Sequence, residues 1–241
     1  MTRTLFFSLL VLSTLWAQPS LAADQATSDN IVAIVGTGSV GSTLGPLLAA
    51  RGYQVLYGSR NPAGTAVVEL LEETGHGASA MAPKEAAARA DMIIMAVPYA
   101  AVEELLMSFG DLGGKIIIDC INAVRFRRQE ISLAIPSMAE TIARLAPGAR
   151  VIKTLNTTST RYMSNPDHPQ GTISMPIAGD DAVAKDKVAA LVRALGFDPV
   201  DVGPLSNAAY LEAMGALYIH MNAIQGRRGN FEYRILHGVS E

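Results

Sequence analysis

From residue 30 onward, apolar runs of strand length alternate with amphipathic stretches of helix length. The runs predict strands at 31–35, 54–57, 78–80, 91–98, 115–119 and 150–155. The stretches between them predict helices at 40–51, 62–74, 83–90, 99–109 and 137–145. This alternation is typical of a parallel sheet covered by helices on both faces. The pattern therefore predicts an α/β protein with a doubly wound, Rossmann-type parallel sheet.

The pattern changes after residue 155. A polar, turn-rich loop over 156–171 is followed by a strand at 173–178, a helix at 181–195 and a strand at 199–202. A long helix is predicted at 206–225, with an apolar stripe formed by Met214, Leu217, Tyr218 and Met221 facing the core. We therefore predict a first domain over 30–155 and a smaller C-terminal α/β lobe over 156–241.

The first 22 residues have the features of a secretory signal peptide. Arg3 provides positive charge, residues 5–17 are mostly apolar, and Ser20-Leu21-Ala22 resembles a cleavage site. The apolar run is shorter than the roughly 20 residues that a membrane-spanning helix needs. We expect cleavage near Ala22, export to the periplasm or the medium, and no stable membrane span in the mature chain. The alternative is an uncleaved leader that anchors the protein.

Composition excludes several classes of function. The chain of 241 residues is 49% hydrophobic and 17% charged, as expected of a globular protein. Its net charge is −3, with short basic runs at 125–128 and 227–228, so nucleic-acid binding is not expected. A single cysteine, Cys120, rules out an internal disulfide. The four histidines lie far apart, without the spacing of metal ligands.

The first strand runs directly into the glycine-rich turn Gly36-Thr37-Gly38-Ser39-Val40-Gly41. In a dinucleotide-binding fold the first glycine permits a tight turn, and the second lets the backbone approach a pyrophosphate. The third lets the following helix pack closely on the strand. The pyrophosphate then sits at the helix N-terminus, where free amides and the helix dipole favour negative charge. The turn predicts a dinucleotide site.

The end of the second strand indicates which dinucleotide. Proteins that bind NAD place a carboxylate there, about 20 residues after the glycines, to bind the ribose hydroxyls. This chain has Gly58-Ser59-Arg60, and no carboxylate occurs over residues 57–62. A hydroxyl and a guanidinium suit a 2′-phosphate. We predict NADP(H), with Ser59 and Arg60 on the phosphate.

Ligands of doubly wound sheets bind at the carboxyl ends of the strands. Residues 37–40, 59–60, 96–99 and 119–123 are expected to meet there. Ala96, Val97 and Pro98 are expected beside the nicotinamide, and Asn122 beside the cofactor or substrate. No neighbouring base suggests a reactive thiol at Cys120.

No residue of the sequence is a confident catalytic acid or base. Lys153 and Asn156 span a strand end, so their side chains are not expected to face one site. An alcohol dehydrogenase needs such a group, whereas hydride transfer between two cofactors needs mainly orientation. This absence favours transfer between cofactors.

The chain resembles the NADPH-dependent deazaflavin (coenzyme F420) reductases over about residues 31–236. The similarity is carried by the glycine turn, Gly58-Ser-Arg-Asn61, Ala96-Val-Pro-Tyr99, Gly179-Asp-Asp181 and Gly203-Pro-Leu-Ser-Asn-Ala-Ala-Tyr-Leu-Glu212. The nucleotide domain of membrane ferric reductases shares the first two motifs. The resemblance implies that Thr37, Ser39 and Val40 hold the pyrophosphate and that Val97 and Pro98 flank the nicotinamide.

The resemblance further implies a deazaflavin or flavin-like acceptor, stacked in a cleft under the C-terminal lobe. Leu205, Asn207 and Leu211 are the expected acceptor-binding residues, and a homodimer is the expected assembly. Two alternatives stay open: a ferric or flavin reductase that donates electrons to a membrane partner, and an exported nucleotide-binding module without catalysis. The second alternative follows from the leader, because extracytoplasmic compartments have no known large supply of NADP.

Overall fold

The computed structural model of the chain describes residues 30–128, 130–226 and 230–236. The predicted signal peptide lies outside these residues. The strands of this part are β1 (Ile31–Val35), β2 (Gln54–Gly58), β3 (Ser79–Met81), β4 (Met92–Met95), β5 (Ile116–Asp119), β6 (Val124–Arg127), β7 (Glu130–Leu133), β8 (Arg150–Lys153), β9 (Ser174–Gly179) and β10 (Asp198–Asp201).

The α-helices of this part are α1 (Ser39–Ala49), α2 (Thr65–Thr74), α3 (Pro83–Arg89), α4 (Val102–Phe109), α5 (Met138–Leu145), α6 (Thr160–Ser164), α7 (Ala182–Ala194) and α8 (Ala208–Ile219). Short 3₁₀ turns precede α4 and α8, and a π-helical turn over His220–Ile224 extends α8. The bounds of the predicted helices agree with these to within a few residues, apart from the last helix, which is divided into three segments.

Eight strands form one sheet in the order β10-β9-β8-β5-β4-β1-β2-β3. β1 pairs in parallel with both β2 and β4, so the strand order reverses between β1 and β4. In a doubly wound sheet this switch point is where ligands bind. The predicted Rossmann-type fold class is therefore confirmed, and its binding crevice is defined by the ends of these two strands.

Alternate side chains of each central strand enter two separate cores. On one face, Val32 and Ile34 of β1 pack with residues of α1, α2, α6 and α7. On the other face, Ala33 and Val35 pack with residues of α3, α4, α5 and the start of α8. Because β1 is buried on both faces, its sequence is continuously apolar rather than alternating. The result is a three-layer α/β/α arrangement that presents the strand ends to solvent.

The C-terminal part departs from a purely parallel sheet. β9 pairs antiparallel to β8, and β10 runs parallel to β9. A parallel pairing would need a crossover of a dozen or more residues, usually helical, that returns across the sheet. The connection from β8 to β9 contains only the five-residue α6, so the chain re-enters the sheet from the edge where β8 ends. Residues after 155 thus extend the same sheet, and the domain boundary near 155 stays a prediction.

A hairpin of β6 and β7 follows β5 and was not predicted from the sequence. Its register pairs Arg127 with Glu130 and Phe126 with Ile131. The strands are short and partly charged, and β7 packs against α8, so contacts distant in sequence decide their conformation. Within the described residues, no helix combines the length and apolarity needed to cross a membrane. The expected homodimer stays a prediction.

Candidate functional site

The glycine-rich turn has the backbone geometry that a dinucleotide needs. Gly36 has φ +108°, and a Cβ there would overlap the carbonyl oxygen of Ala96. A Cβ on Gly41 would overlap the carbonyl oxygen of Gly36, so α1 packs directly on the turn. Gly38 begins α1 with extended backbone, and a Cβ there would meet open space. No side chain caps the helix, so its first amides face this space. These three positions fit a bound pyrophosphate.

The segment after β4 forms the opposite wall of the crevice. The Ala96 amide donates to the Val35 carbonyl at 2.9 Å, which continues the sheet to the glycine turn. The Val97 side chain lies 3.1 Å from the position of a Cβ on Gly36. Pro98 starts the 3₁₀ turn before α4. The structure thus brings the predicted nicotinamide-side residues against the predicted pyrophosphate-side residues.

Ser59 and Arg60 lie at the end of β2, beside the glycine turn. The Ser59 amide donates to the Met81 carbonyl at 2.9 Å, and its hydroxyl accepts from the Asn61 amide at 3.2 Å. Arg60 is exposed, and no ion pair holds its guanidinium within the described residues. An ordered hydroxyl and an available guanidinium fit the 2′-phosphate predicted here.

The ends of β5 and β8 are joined by a pair of asparagines. Asn122 Nδ2 donates to the Asn156 carbonyl at 2.8 Å, and Asn156 Nδ2 donates to Asn122 Oδ1 at 3.0 Å. Asn156 Nδ2 also donates to the Leu211 carbonyl at 2.8 Å, which ties α8 to the strand ends. A Cβ on Gly215 would overlap this pair, so α8 lies directly against it. The predicted residue Asn122 is therefore at the crevice but is engaged in structure.

Cys120 is buried close to the same strand ends. Its thiol donates to the Met95 carbonyl at 3.1 Å. Burial, and secondarily the charge of Asp119, raise the pKa of the thiol to about 12. A thiol with this pKa is not a nucleophile near neutral pH, in agreement with the sequence analysis.

The loop after β8 carries polar side chains to which the sequence assigned no role in the site. Buried polar atoms without a hydrogen-bond partner include Thr154 Oγ1, Asn156 Oδ1, Thr158 Oγ1 and Ser159 Oγ. Buried polar atoms are nearly always paired, so such a cluster marks a place for a ligand or for water. Leu155, between them, has φ +59°, a strained value for a residue other than glycine. The sequence showed only a polar loop here.

A fully buried charge cluster lies at the ends of β5 and β8. Lys153 Nζ lies 3.0 Å from Asp119 Oδ2 and 3.7 Å from Glu212 Oε1, and all three side chains are buried. Lys153 also donates to the Ile121 carbonyl at 2.5 Å. Glu212 accepts from the amides of Met138 and Ala139 at the start of α5. Lys153 is therefore part of the scaffold and does not reach the crevice.

A second carboxyl, that of the half-buried Glu232 in the C-terminal segment, contacts Tyr218 of α8. Glu232 Oε1 accepts from the Tyr218 hydroxyl at 2.6 Å. Burial raises the pKa of Glu232 to about 7, although the nearby hydroxyls of Tyr218 and Thr158 oppose the shift. Burial likewise raises the pKa of Tyr218, which stays a phenol. The sequence analysis did not single out Glu232 among the glutamates of the chain.

The predicted acceptor-binding residues have different surroundings from those expected. Leu205 and Leu211 are 7% and 2% exposed and belong to the core formed with α5. Asn207 Nδ2 donates to the Val202 carbonyl at 2.6 Å, which fixes the turn before α8. In the helix itself, the buried face is Leu211, Gly215 and Tyr218, whereas Leu217 of the predicted stripe is 49% exposed. The acceptor role of the first three residues stays a prediction.

Fold and site together define a dinucleotide-binding protein of the Rossmann class. The family model for "NADP oxidoreductase coenzyme F420-dependent" matches residues 31–123. The F420-dependent NADP reductase of Methanothermobacter thermautotrophicus is 31% identical over 223 residues, which cover 85% of this chain and 94% of that protein. The chain belongs to the family of F420-dependent NADP oxidoreductases.

Two further comparisons agree with this assignment. A crystal structure from Arthrobacter sp. FB24, designated a candidate F420-dependent NADP reductase, has a TM-score of 0.77 and 31% identity. The match covers 86% of this chain and 99% of that one. Metalloreductase STEAP3 of Rattus norvegicus is 32% identical over 185 residues, 76% of this chain but 36% of that protein. The chain thus spans about a third of the metalloreductases that it matches.

Substitutions of two glycines distinguish cofactor binding from folding. Gly38→Ala adds a methyl group to open space, so we expect unchanged thermal stability. The same methyl group would occupy the space assigned to the pyrophosphate, so we expect NADPH binding weakened about tenfold, or about 1.4 kcal/mol. Gly41→Val forces a side chain against the Gly36 carbonyl, and we expect it to lower the free energy of unfolding by about 1–3 kcal/mol. Calorimetry of both variants, with and without NADPH, measures the two effects. Unchanged NADPH affinity in Gly38→Ala would contradict the assigned pyrophosphate position.

Proposed function

We propose that the protein transfers hydride between NADP(H) and a deazaflavin or flavin-like acceptor. The observation that carries this proposal is the crevice at the switch point, where the glycine turn lies against Ala96 and Val97 on one side and the end of β2, which precedes Ser59-Arg60, on the other. The family assignment supports the acceptor class, since F420-dependent NADP reductases cover nearly the whole described chain.

The residues of the crevice have separable tasks. The α1 amides and Gly38 hold the pyrophosphate, and Ser59 with Arg60 select the 2′-phosphate. Val97 and Pro98 fix one side of the nicotinamide, leaving the other side for the acceptor. The bound nucleotide supplies the hydride, so the protein contributes position and exclusion of water rather than a nucleophile. Burial raises the pKa of the Cys120 thiol, so it is not a nucleophile, in agreement with this role of the protein.

Anaerobic oxidation of NADPH tests the proposal directly. We expect consumption of NADPH that depends on added deazaflavin, FMN or FAD, with the deazaflavin preferred. NADH should support much slower turnover at the same concentration, because it lacks the 2′-phosphate that Ser59 and Arg60 bind. Arg60→Ala should keep its activity at saturating NADPH, since it alters binding and not the position of the ring. Absence of acceptor-dependent oxidation would refute the proposal.

A second candidate is a reductase that passes electrons from NADPH through a flavin to a metal or haem partner. The similarity to the metalloreductases favours it, although the chain spans only about a third of those proteins. This second candidate differs from the first because it requires a flavin and does not reduce deazaflavin. Flavin-stimulated reduction of ferric iron, without deazaflavin turnover, would select this candidate.

A further inference from the structure

We propose that Glu232 holds the proton that accompanies hydride transfer, and that Tyr218 positions its carboxyl beside the acceptor. The proposal rests on the proposed function. It assigns an acid to a site for which the sequence offered none. Glu232 and Tyr218 are called the carboxyl–phenol pair below.

The carboxyl–phenol pair lies on the face of α8 that borders the strand ends. Leu211, Gly215 and Tyr218 follow each other at helical spacing on this face. The Leu211 carbonyl binds Asn156, and Gly215 lies against both asparagines of the crevice. Tyr218 comes three residues later, about 5 Å further along the axis. The pair therefore lies one helical turn beyond the asparagines at the ends of β5 and β8.

The carboxyl is held in place by the segment that carries it. The Ser174 amide donates to the Tyr233 carbonyl at 3.0 Å, and the Ile235 amide donates to Ser174 Oγ at 2.9 Å. The Tyr233 hydroxyl donates to the Met214 carbonyl at 2.9 Å. These bonds attach the segment to β9 and to α8, so the Glu232 side chain points to one place.

The surroundings of the carboxyl favour its protonated form. The groups that face it are the Tyr218 phenol from α8 and the Thr158 hydroxyl from the loop after β8, and Tyr233 is its neighbour in the chain. No cation of the described residues forms an ion pair with it. Glu232 Oε2 is buried without a hydrogen-bond partner, as are the hydroxyl oxygens of Thr158 and Ser159. A proton on Oε2 therefore has the unpaired Thr158 hydroxyl beside it.

The proton balance of the reaction requires such a group. NADPH, an oxidised flavin-type acceptor and one proton yield NADP⁺ and the reduced acceptor, with both electrons carried by the hydride. The O–H bond of Glu232 breaks, its proton passes to the acceptor, and the carboxylate regains a proton from solvent. Glu232 itself is neither oxidised nor reduced.

Protonation can be tested without cofactors. At pH 6 we expect an infrared C=O band of a protonated carboxyl that is lost in Glu232→Gln and kept in Glu104→Gln, which changes an exposed carboxylate of α4. Because the folded-state pKa is raised from 4.5 to about 7, the proton stabilises the fold fully below pH 4.5, and this stability is lost as the pH rises through 7. In Glu232→Gln, the Tm measured by thermal unfolding should not show this fall in stability as the pH rises through 7.

Turnover then tests the role of the proton. In the wild type, kcat should fall as the pH rises through 7, and Glu232→Gln should lower kcat at pH 6 at least about tenfold and flatten the profile. Tyr218→Phe keeps the carboxyl, so it should keep the infrared band while altering the pH of the transition. NADPH affinity should be unchanged in both variants.

Two results would overturn the proposal. Absence of the infrared band at pH 6 would show that Glu232 is ionised. If the pH profile of kcat in Glu232→Gln were identical to that of active wild type, Glu232 would have no role in proton transfer. The proposed function would remain intact. Wild type that reduces no acceptor would instead refute the proposed function, and this proposal with it.

Discussion

Replacement of Lys153 by methionine should lower the free energy of unfolding by about 3–5 kcal/mol. Lys153 is the one cation in contact with both Asp119 and Glu212 in the described structure, and none of the three side chains reaches solvent. Methionine has a similar length but leaves two carboxylates buried without their countercharge. For a chain of this size the loss corresponds to a fall in Tm of about 10 °C. Urea unfolding at pH 7 measures it.

A matched lysine provides the control for this prediction. Lys185 binds Asp201 at 2.8 Å, but the Asp201 carboxylate is 60% exposed. Exposed pairs contribute at most about 1 kcal/mol, so Lys185→Met should be nearly neutral. Acid should partly rescue Lys153→Met, because burial raises the pKa of Glu212 and its protonation removes an unpaired charge. If both lysine variants were equally stable, the buried cluster would not be a major source of stability.

Replacement of Arg60 by alanine should weaken NADPH binding about 10- to 100-fold and leave NADH binding unchanged. A hydrogen bond to a charged group contributes about 1.5–3 kcal/mol, and each 1.4 kcal/mol is a factor of ten. Arg60 is exposed at the end of β2, so its removal leaves no buried group unpaired. Titration followed by the fluorescence of the reduced nucleotide gives both dissociation constants.

Arg144→Ala is the control for Arg60→Ala. Arg144 is exposed on α5, which packs on the sheet face opposite to α1. It carries the same charge but lies away from the glycine turn, so its loss should change NADPH affinity less than twofold at moderate salt. Equal weakening of NADPH and NADH binding in Arg60→Ala would assign this residue to the pyrophosphate and not to the 2′-phosphate.

The first half of the chain could be predicted from the sequence because its signals are local. An apolar run with helical stretches on either side defines each strand from β1 to β5, and their predicted bounds agree with the structure to within a few residues. The close packing at Gly36 and Gly41 follows from the same local pattern, since a glycine turn between strand and helix has few possible geometries.

The acid at the site could not be predicted, because nothing local marks it. Glu232 meets Tyr218 across a separation of 14 residues, in a segment without helix or strand. In the sequence it is one glutamate among many. Its raised pKa arises from burial, which depends on how the segment packs on β9 and α8.

The sequence by itself determined the fold class, the glycine turn and the preference for a 2′-phosphate, because each depends on residues close together in the chain. Tertiary structure alone decided the antiparallel entry of β9, the cluster of Asp119, Lys153 and Glu212, and which face of α8 is buried. These features join positions 25 to 75 residues apart. Their energies come from burial and from charges brought together, and neither exists until the chain has folded.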